Sequence, residues 1–188
     1  MSQAKTLTPQ EYEQVFNYVA TRKFAKRNEL ILKMGFKTGM RVSEIANLRL
    51  GDVVHKDGKV KGEIRLTGEM TKGGFPRTVF VPQALQEELQ SYIDFKTDKN
   101  PKHPLFVTNG GRAFTPSVLT QHLFWLFRNA GIDGASSHTM RRQFITSLAS
   151  KGIAIRVLAS LAGHRNIQVT ARYIDVNDDM KRNAVELA

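Results

Sequence analysis

His138-Thr139-Met140-Arg141-Arg142-Gln143-Phe144-Ile145-Thr146-Ser147-Leu148-Ala149 reads as a helix with an arginine on its apolar side. Phe144, Ile145 and Leu148 stand three, four and seven residues after Arg141, so all four share one stripe. His138 lies one turn before Arg141 on the same face, while Arg142 points elsewhere and reads as ordinary surface. An arginine among apolar residues has to be paired, because an unpaired buried charge is very costly. Two partners satisfy that demand. One is a structural carboxylate. The other is an anion held by Arg141 and His138 together at the helix start, where the backbone dipole favours negative charge.

Downstream, Leu161-Ala162-Gly163-His164 reads as a helix end and turn. A further helix comes next, with Ile167, Thr170 and Ile174 as its inner stripe and Tyr173 beside them near its end. Upstream, Thr38-Gly39-Met40-Arg41-Val42-Ser43-Glu44 sets an arginine between one helix end and the next helix start. Lys72 sits in Thr71-Lys72-Gly73-Gly74, a loop between two strand-like runs. Taken singly, each has a structural reading: a packing tyrosine, a capping arginine, a solvated hairpin tip.

The rest of the chain supplies a scaffold for these segments. Thr8, Pro9 and Glu11 form a capping box ahead of Tyr12, Val15, Phe16 and Val19. A helix from about Arg27 to Lys37 is apolar nearly all round (Leu30, Ile31, Leu32, Met34, Phe36), as a central buried helix would be, and Gly39 ends it. A short helix is expected from Ser43 to Leu48. Val60–Leu66 and Arg77–Val81 are rich in strand-forming residues and predict a small antiparallel sheet, with a first strand near Val53 making three. Helices return at Pro82–Lys96, whose Glu87, Glu88 and Asp94 make it relatively acidic, and after Thr115-Pro116, with Leu119, Leu123, Leu126, Phe127 and Ala130 inward. Shorter ones are expected to begin near His138, Ala154, Ile167 and Asp178. The expected fold class is α+β, mostly helical, as one domain over residues 1–188.

Composition narrows the partner. The 28 Lys and Arg against 17 Asp and Glu give a net charge of +11, which favours a polyanion such as nucleic acid because neutralised phosphates release counterions. A solvated basic face, or a ribosome-associated or membrane-surface protein, would account for the charge as well. The chain has no cysteine, which removes disulfides, thiolate metal sites and cysteine catalysis. Neither a long apolar span nor a signal-peptide pattern is present, so a cytoplasmic, nucleoid-associated location is expected.

In sequence and order, the four segments resemble the catalytic domain of the tyrosine recombinase (phage integrase) family: Arg-x-x-Glu, a lysine in a β-turn, His-x-x-Arg, Gly-His, then Tyr nine residues on. The resemblance covers about Thr8 to Ala184. It implies that fold, with its small three-stranded sheet, and a site-specific recombinase acting on double-stranded DNA without metal or cofactor. On it, Arg41 and Arg141 would clamp the scissile phosphate, Tyr173 would be the nucleophile and Lys72 the general acid. His138 would be the base, His164 would support the phosphate or nucleophile, and Glu44 would orient a catalytic group. The family also implies a homo-tetramer on DNA, accessory DNA-bending or directionality factors, and a groove-reading helix at Thr115–Arg128 with Ser117 and Gln121 as candidate readers. Ala162, Met140 and Val169 depart mildly from the family's usual Leu, Leu and Thr.

Many members carry a preceding helical domain, so the chain reads either as a minimal recombinase or as a fragment. The amphipathic tail from Asn177 to Ala188 (Met180, Ala184, Val185 and Leu187 against Lys181, Arg182 and Asn183) is expected to dock on a neighbouring protomer or to pack on its own chain. Competing functions are a type IB topoisomerase, which shares the tyrosine chemistry, and a non-catalytic DNA-binding protein on the same fold.

Overall fold

The computed structural model describes residues 5–71, 73–174, 176 and 178–186. Helix α1 (Pro9–Ala20) opens at the expected box: the Glu11 amide donates to the Thr8 hydroxyl at 3.2 Å and the Thr8 amide donates to the Glu11 carboxylate at 3.0 Å. Helix α2 (Ala25–Thr38) is the central one, with Leu30, Ile31, Leu32 and Met34 wholly buried. Short helices α3 (Val42–Ala46) and α4 (Leu50–Val53) come after it. Strands β1 (Glu63–Leu66) and β2 (Arg77–Phe80) pair antiparallel, with Glu63 opposite Phe80 and Leu66 opposite Arg77.

The sheet has two strands among the described residues, not three. Val53 ends α4 instead of forming a strand, and the third ladder shrinks to one antiparallel bridge between Val54 and Val60. The cause is local. Asp52 accepts the Arg49 amide at 2.8 Å, which winds the backbone into a helical turn before it can extend.

Helix α5 (Gln83–Asp94) buries Leu85, Leu89 and Ile93, and α6 (Pro116–Asn129) buries Leu119, Leu123, Leu126 and Phe127, as their periodicity requires. Edge-on ring contacts at 5.1 Å between Tyr12 and Phe36 and 6.5 Å between Phe36 and Phe127 join α1, α2 and α6 into one core. Helix α7 (Ser137–Ala149) packs along α2. Helices α8 (Ile155–Ala162), α9 (Ile167–Ala171) and α10 (Asp178–Val185) complete the chain. Ala184 and Val185 in α10 are exposed, whereas Asn177, Leu187, Ala188 and the side chains of Met180 and Asn183 lie outside the described residues. Among the described residues no helix is long and apolar enough to cross a membrane.

Two helix ends bring the charged segments together. α2 stops at Gly39 and α8 at Gly163, both in the left-handed region with φ of 65° and 64°. A Cβ on Gly163 would stand 2.5 Å from Arg77 Cδ, so a side chain there would be strained at the backbone and would force Arg77 to shift.

Candidate active site

The carbonyls at a helix C-terminus have no partner within the helix and carry partial negative charge. Here three arginines converge on two such ends. Arg141, only 5% exposed, donates from Nη1 to the Gly39 carbonyl at 2.7 Å and from Nη2 to the Ala162 carbonyl. Arg41 reaches the Gly163 carbonyl at 3.4 Å, and Arg77 donates to the Leu161 carbonyl at 2.7 Å. The stripe position read for Arg141 is thus occupied as expected, but its protein partners are neutral carbonyls, not a carboxylate.

Glu44 holds the other two arginines. Its carboxylate is fully buried and accepts from the Arg41 amide at 2.8 Å and Arg41 Nη1 at 2.9 Å. It also accepts from Arg77 Nη2 at 2.6 Å and Nε at 3.3 Å. Burial alone would raise its pKa, yet the hydrogen bond and charge of Arg77, with those of Arg41, outweigh it and hold Glu44 below the usual carboxylate range. Three guanidiniums therefore face a single carboxylate. The excess positive charge registers on its neighbours. Burial, then Arg41 and Arg77, pulls Arg141 down to about 9, which leaves it protonated at neutral pH. Burial, then Arg141, Arg41 and Arg77, pushes His164 down to about 4, so its ring is neutral there.

His164 comes directly after the Gly163 turn and is fixed twice: Nδ1 lies 2.8 Å from the hydroxyl of the buried Thr170, and the ring stacks on Tyr173 at 5.9 Å with planes 14° apart. Tyr173 is half-buried just beyond α9, against a small apolar cluster of Phe144, Ile145 and Ala162, and its carbonyl accepts from the Thr146 hydroxyl at 3.2 Å. Of the stripe read in α9 only Thr170 is fully buried, and Ile167 is 40% exposed, since a five-residue helix is too short to present a face.

Arg41, Glu44, Arg141, His164 and Tyr173 are thus brought together. His138 stands in the first turn of α7 but is exposed, and no hydrogen bond to its ring is present among the described residues. Arg141 is buried one turn on, so the two differ in exposure, and His138 is the exposed member of a first turn in which Ser137, Thr139 and Met140 are buried. Lys72 lies outside the described residues. Ser117 and Gln121 are exposed on α6, beside Val118, Phe124 and Trp125.

Two further arginines matter. Arg77 is the first residue of β2, as the strand-forming run from Arg77 predicts, and its side chain, 8% exposed, also joins the site, a place the sequence does not assign it. The available signal was its strand alternation, which puts Arg77 on the same face as buried Val79. Arg142 is not ordinary surface: it is half-buried, and its Nε is buried without a hydrogen-bond partner among the described residues. Among the described residues no group of His, Asp and Glu is arranged to hold a metal ion. The arginine cluster can hold an anion, and hold it more tightly if the anion gains charge during a reaction.

The chain matches the phage integrase family over residues 5–180. It is 32% identical to the tyrosine recombinase XerA of Pyrococcus furiosus, covering 98% of this chain and 62% of that protein. It is also 32% identical to the tyrosine recombinase XerD of Halalkalibacterium halodurans, covering 95% and 60%. It therefore spans about three-fifths of the length of these relatives. Among solved structures, a XerA recombinase superposes with a TM-score of 0.76 at 24% identity, over 100% of this chain and 66% of that one. XerH bound to a palindromic difH substrate superposes with a TM-score of 0.71 at 20% identity, over 98% and 53%. At these identities the likeness is one of fold.

Proposed function

This chain belongs to the phage integrase family, and on that premise we propose that it is the catalytic unit of a site-specific DNA recombinase, cutting and rejoining strands through a 3′-phosphotyrosyl intermediate. The observation that carries the reading is the surplus of guanidinium charge beside a half-buried tyrosine. Arg141 and Arg41 clamp the non-bridging oxygens of the scissile phosphate and stabilise the charge that builds up in the pentacoordinate transition state. Planar guanidinium forks suit that task better than ammonium groups.

The Tyr173 oxygen attacks phosphorus as the bond to the 5′ oxygen breaks. Exposed His138 takes the tyrosine proton and Lys72 gives one to the departing 5′ oxygen. Neutral His164, stacked on Tyr173, supports the nucleophile. Glu44 holds Arg41 in place and is a positioning residue. The phosphodiester energy is kept in the covalent link, so rejoining needs no ATP, and the arginines do the electrostatic work without a metal. Ser117 and Gln121 on α6 are the candidate base readers. Four protomers assemble on two duplexes, with accessory DNA-bending or directionality factors as further partners and the nucleoid as the place of action. The α10 tail contributes to contacts between protomers.

The test is to mix the protein, in EDTA, with nicked duplexes spanning the DNA around its own gene. An SDS-resistant protein–DNA adduct is expected, absent with Tyr173→Phe. Tight, specific binding of that DNA without any adduct would favour a non-catalytic DNA-binding protein instead.

A further inference from the structure

The loop between β1 and β2 is closed on itself. A 3₁₀ turn spans Gly68–Met70, and the single proton of the Thr71 hydroxyl is offered to two carbonyls, of Phe75 at 2.7 Å and of Gly68 at 3.1 Å. The Thr71 amide donates to Gly68 at 3.1 Å and the Gly74 amide to Thr71 at 3.3 Å. The loop then meets the rest of the protein through an aromatic ring. The Arg165 guanidinium carbon lies 4.0 Å from the centroid of Phe75, a close cation–π contact. Phe75 is 51% exposed, so its ring fills no core, and no carboxylate pairs with Arg165 among the described residues. Arg165 directly follows His164, whose ring stacks on Tyr173. One contact therefore ties the closed loop to the turn that seats the nucleophile.

We propose that Phe75 and Arg165 form a brace, a pair of positioning residues that sets the β1–β2 loop against the His164 turn so that the 5′ oxygen can be protonated as Tyr173 attacks. This rests on the reading of Lys72 as general acid. Arg77 anchors the foot of the same strand on Glu44 and the Leu161 carbonyl, so the brace fixes the tip of a hairpin whose base is already held. A misplacement of about 1 Å in a catalytic group costs on the order of 100-fold in rate, which makes an exposed contact of this kind consequential.

The experiment compares cleavage of two duplexes carrying the site the protein cuts, one ordinary and one with sulfur replacing the bridging 5′ oxygen. A thiolate leaves without a proton. Phe75→Ala and Arg165→Ala should each slow cleavage of the ordinary duplex by roughly 10- to 100-fold, approach the parent rate on the sulfur duplex, and combine without adding. Phe75→Trp should restore the ordinary rate. Equal slowing on both duplexes, additive losses or no loss would overturn the brace. Lys72→Ala is the control: if sulfur rescues it but not Phe75→Ala, the brace alone fails, and if sulfur does not rescue Lys72→Ala, the general-acid reading fails and takes the brace's purpose with it. Independently of any DNA, Arg165→Ala should speed hydrogen exchange at the Thr71 and Gly74 amides severalfold, and unchanged exchange would also overturn the brace.

Discussion

Glu44 is the residue on which the arrangement of charges turns. It is fully buried and bonded to Arg41 and Arg77, and removing one partner of a buried ionic network leaves the others uncompensated. Glu44→Ala is expected to lose about 3 kcal/mol of stability by urea denaturation, with Glu44→Gln losing less because it keeps acceptor capacity. A parent-like Glu44→Ala would mean that the helix-end carbonyls suffice. His164 sets a pH dependence. Its folded-state pKa of about 4 lies below the free value of 6.5, so between those limits the unfolded chain binds a proton that the folded chain refuses. The stability it contributes is whole above pH 6.5 and falls as pH drops toward 4. His122, lowered to about 4 by burial and then by Arg27, titrates in the same window. His164→Asn should therefore flatten part of the acid-side decline in a denaturation series across that range, and an unchanged slope would count against the shift. The charged residues themselves were legible in sequence, but which of them met was not. Strand alternation turns Arg77 inward, but nothing local says that it meets Glu44, 33 positions away.

The elements were legible wherever local chemistry decides them. Thr8 and Thr115 cap their helices, Gly39 ends α2, and the apolar stripes of α5 and α6 point inward. The misreadings fell on short pieces. The turn at Arg49–Asp52 replaced a strand, and α9 was too short to keep its stripe. Gly163 offers the test at this scale. Placing a Cβ at φ 64° costs about 1–2 kcal/mol and drives it into Arg77 Cδ. Gly163→Ala should lower Tm by a few degrees, about 2–4 °C per kcal/mol at this chain length, while adduct formation well below Tm falls much further. Equal losses in both would mean that Arg77 can move aside freely.

At the scale of the whole molecule, the proposed function and a net charge of +11 on 188 residues together predict a DNA affinity that depends on salt as much as on fold. If about six phosphates are neutralised, affinity for duplex DNA should fall about 10³-fold between roughly 50 and 200 mM salt, as read by fluorescence anisotropy. A flat salt dependence would show that the cationic surface is not the DNA-facing one. On α5, Glu88 is engaged with Lys26 and Lys33, so those two lysines are partly neutralised within the protein.

By itself the sequence determined the mostly helical class of fold, the central position of α2 and the cationic character, because caps, periodicity and charge act within a few residues of chain. Only the tertiary structure decided that the ends of α2 and α8 meet, that Arg141 is held there by carbonyls while Glu44 serves Arg41 and Arg77, and that His138 stays in solvent. Those outcomes depend on the packing of α2, α7 and α8 and on a strand drawn against them, and contacts over such separations leave no local pattern to read.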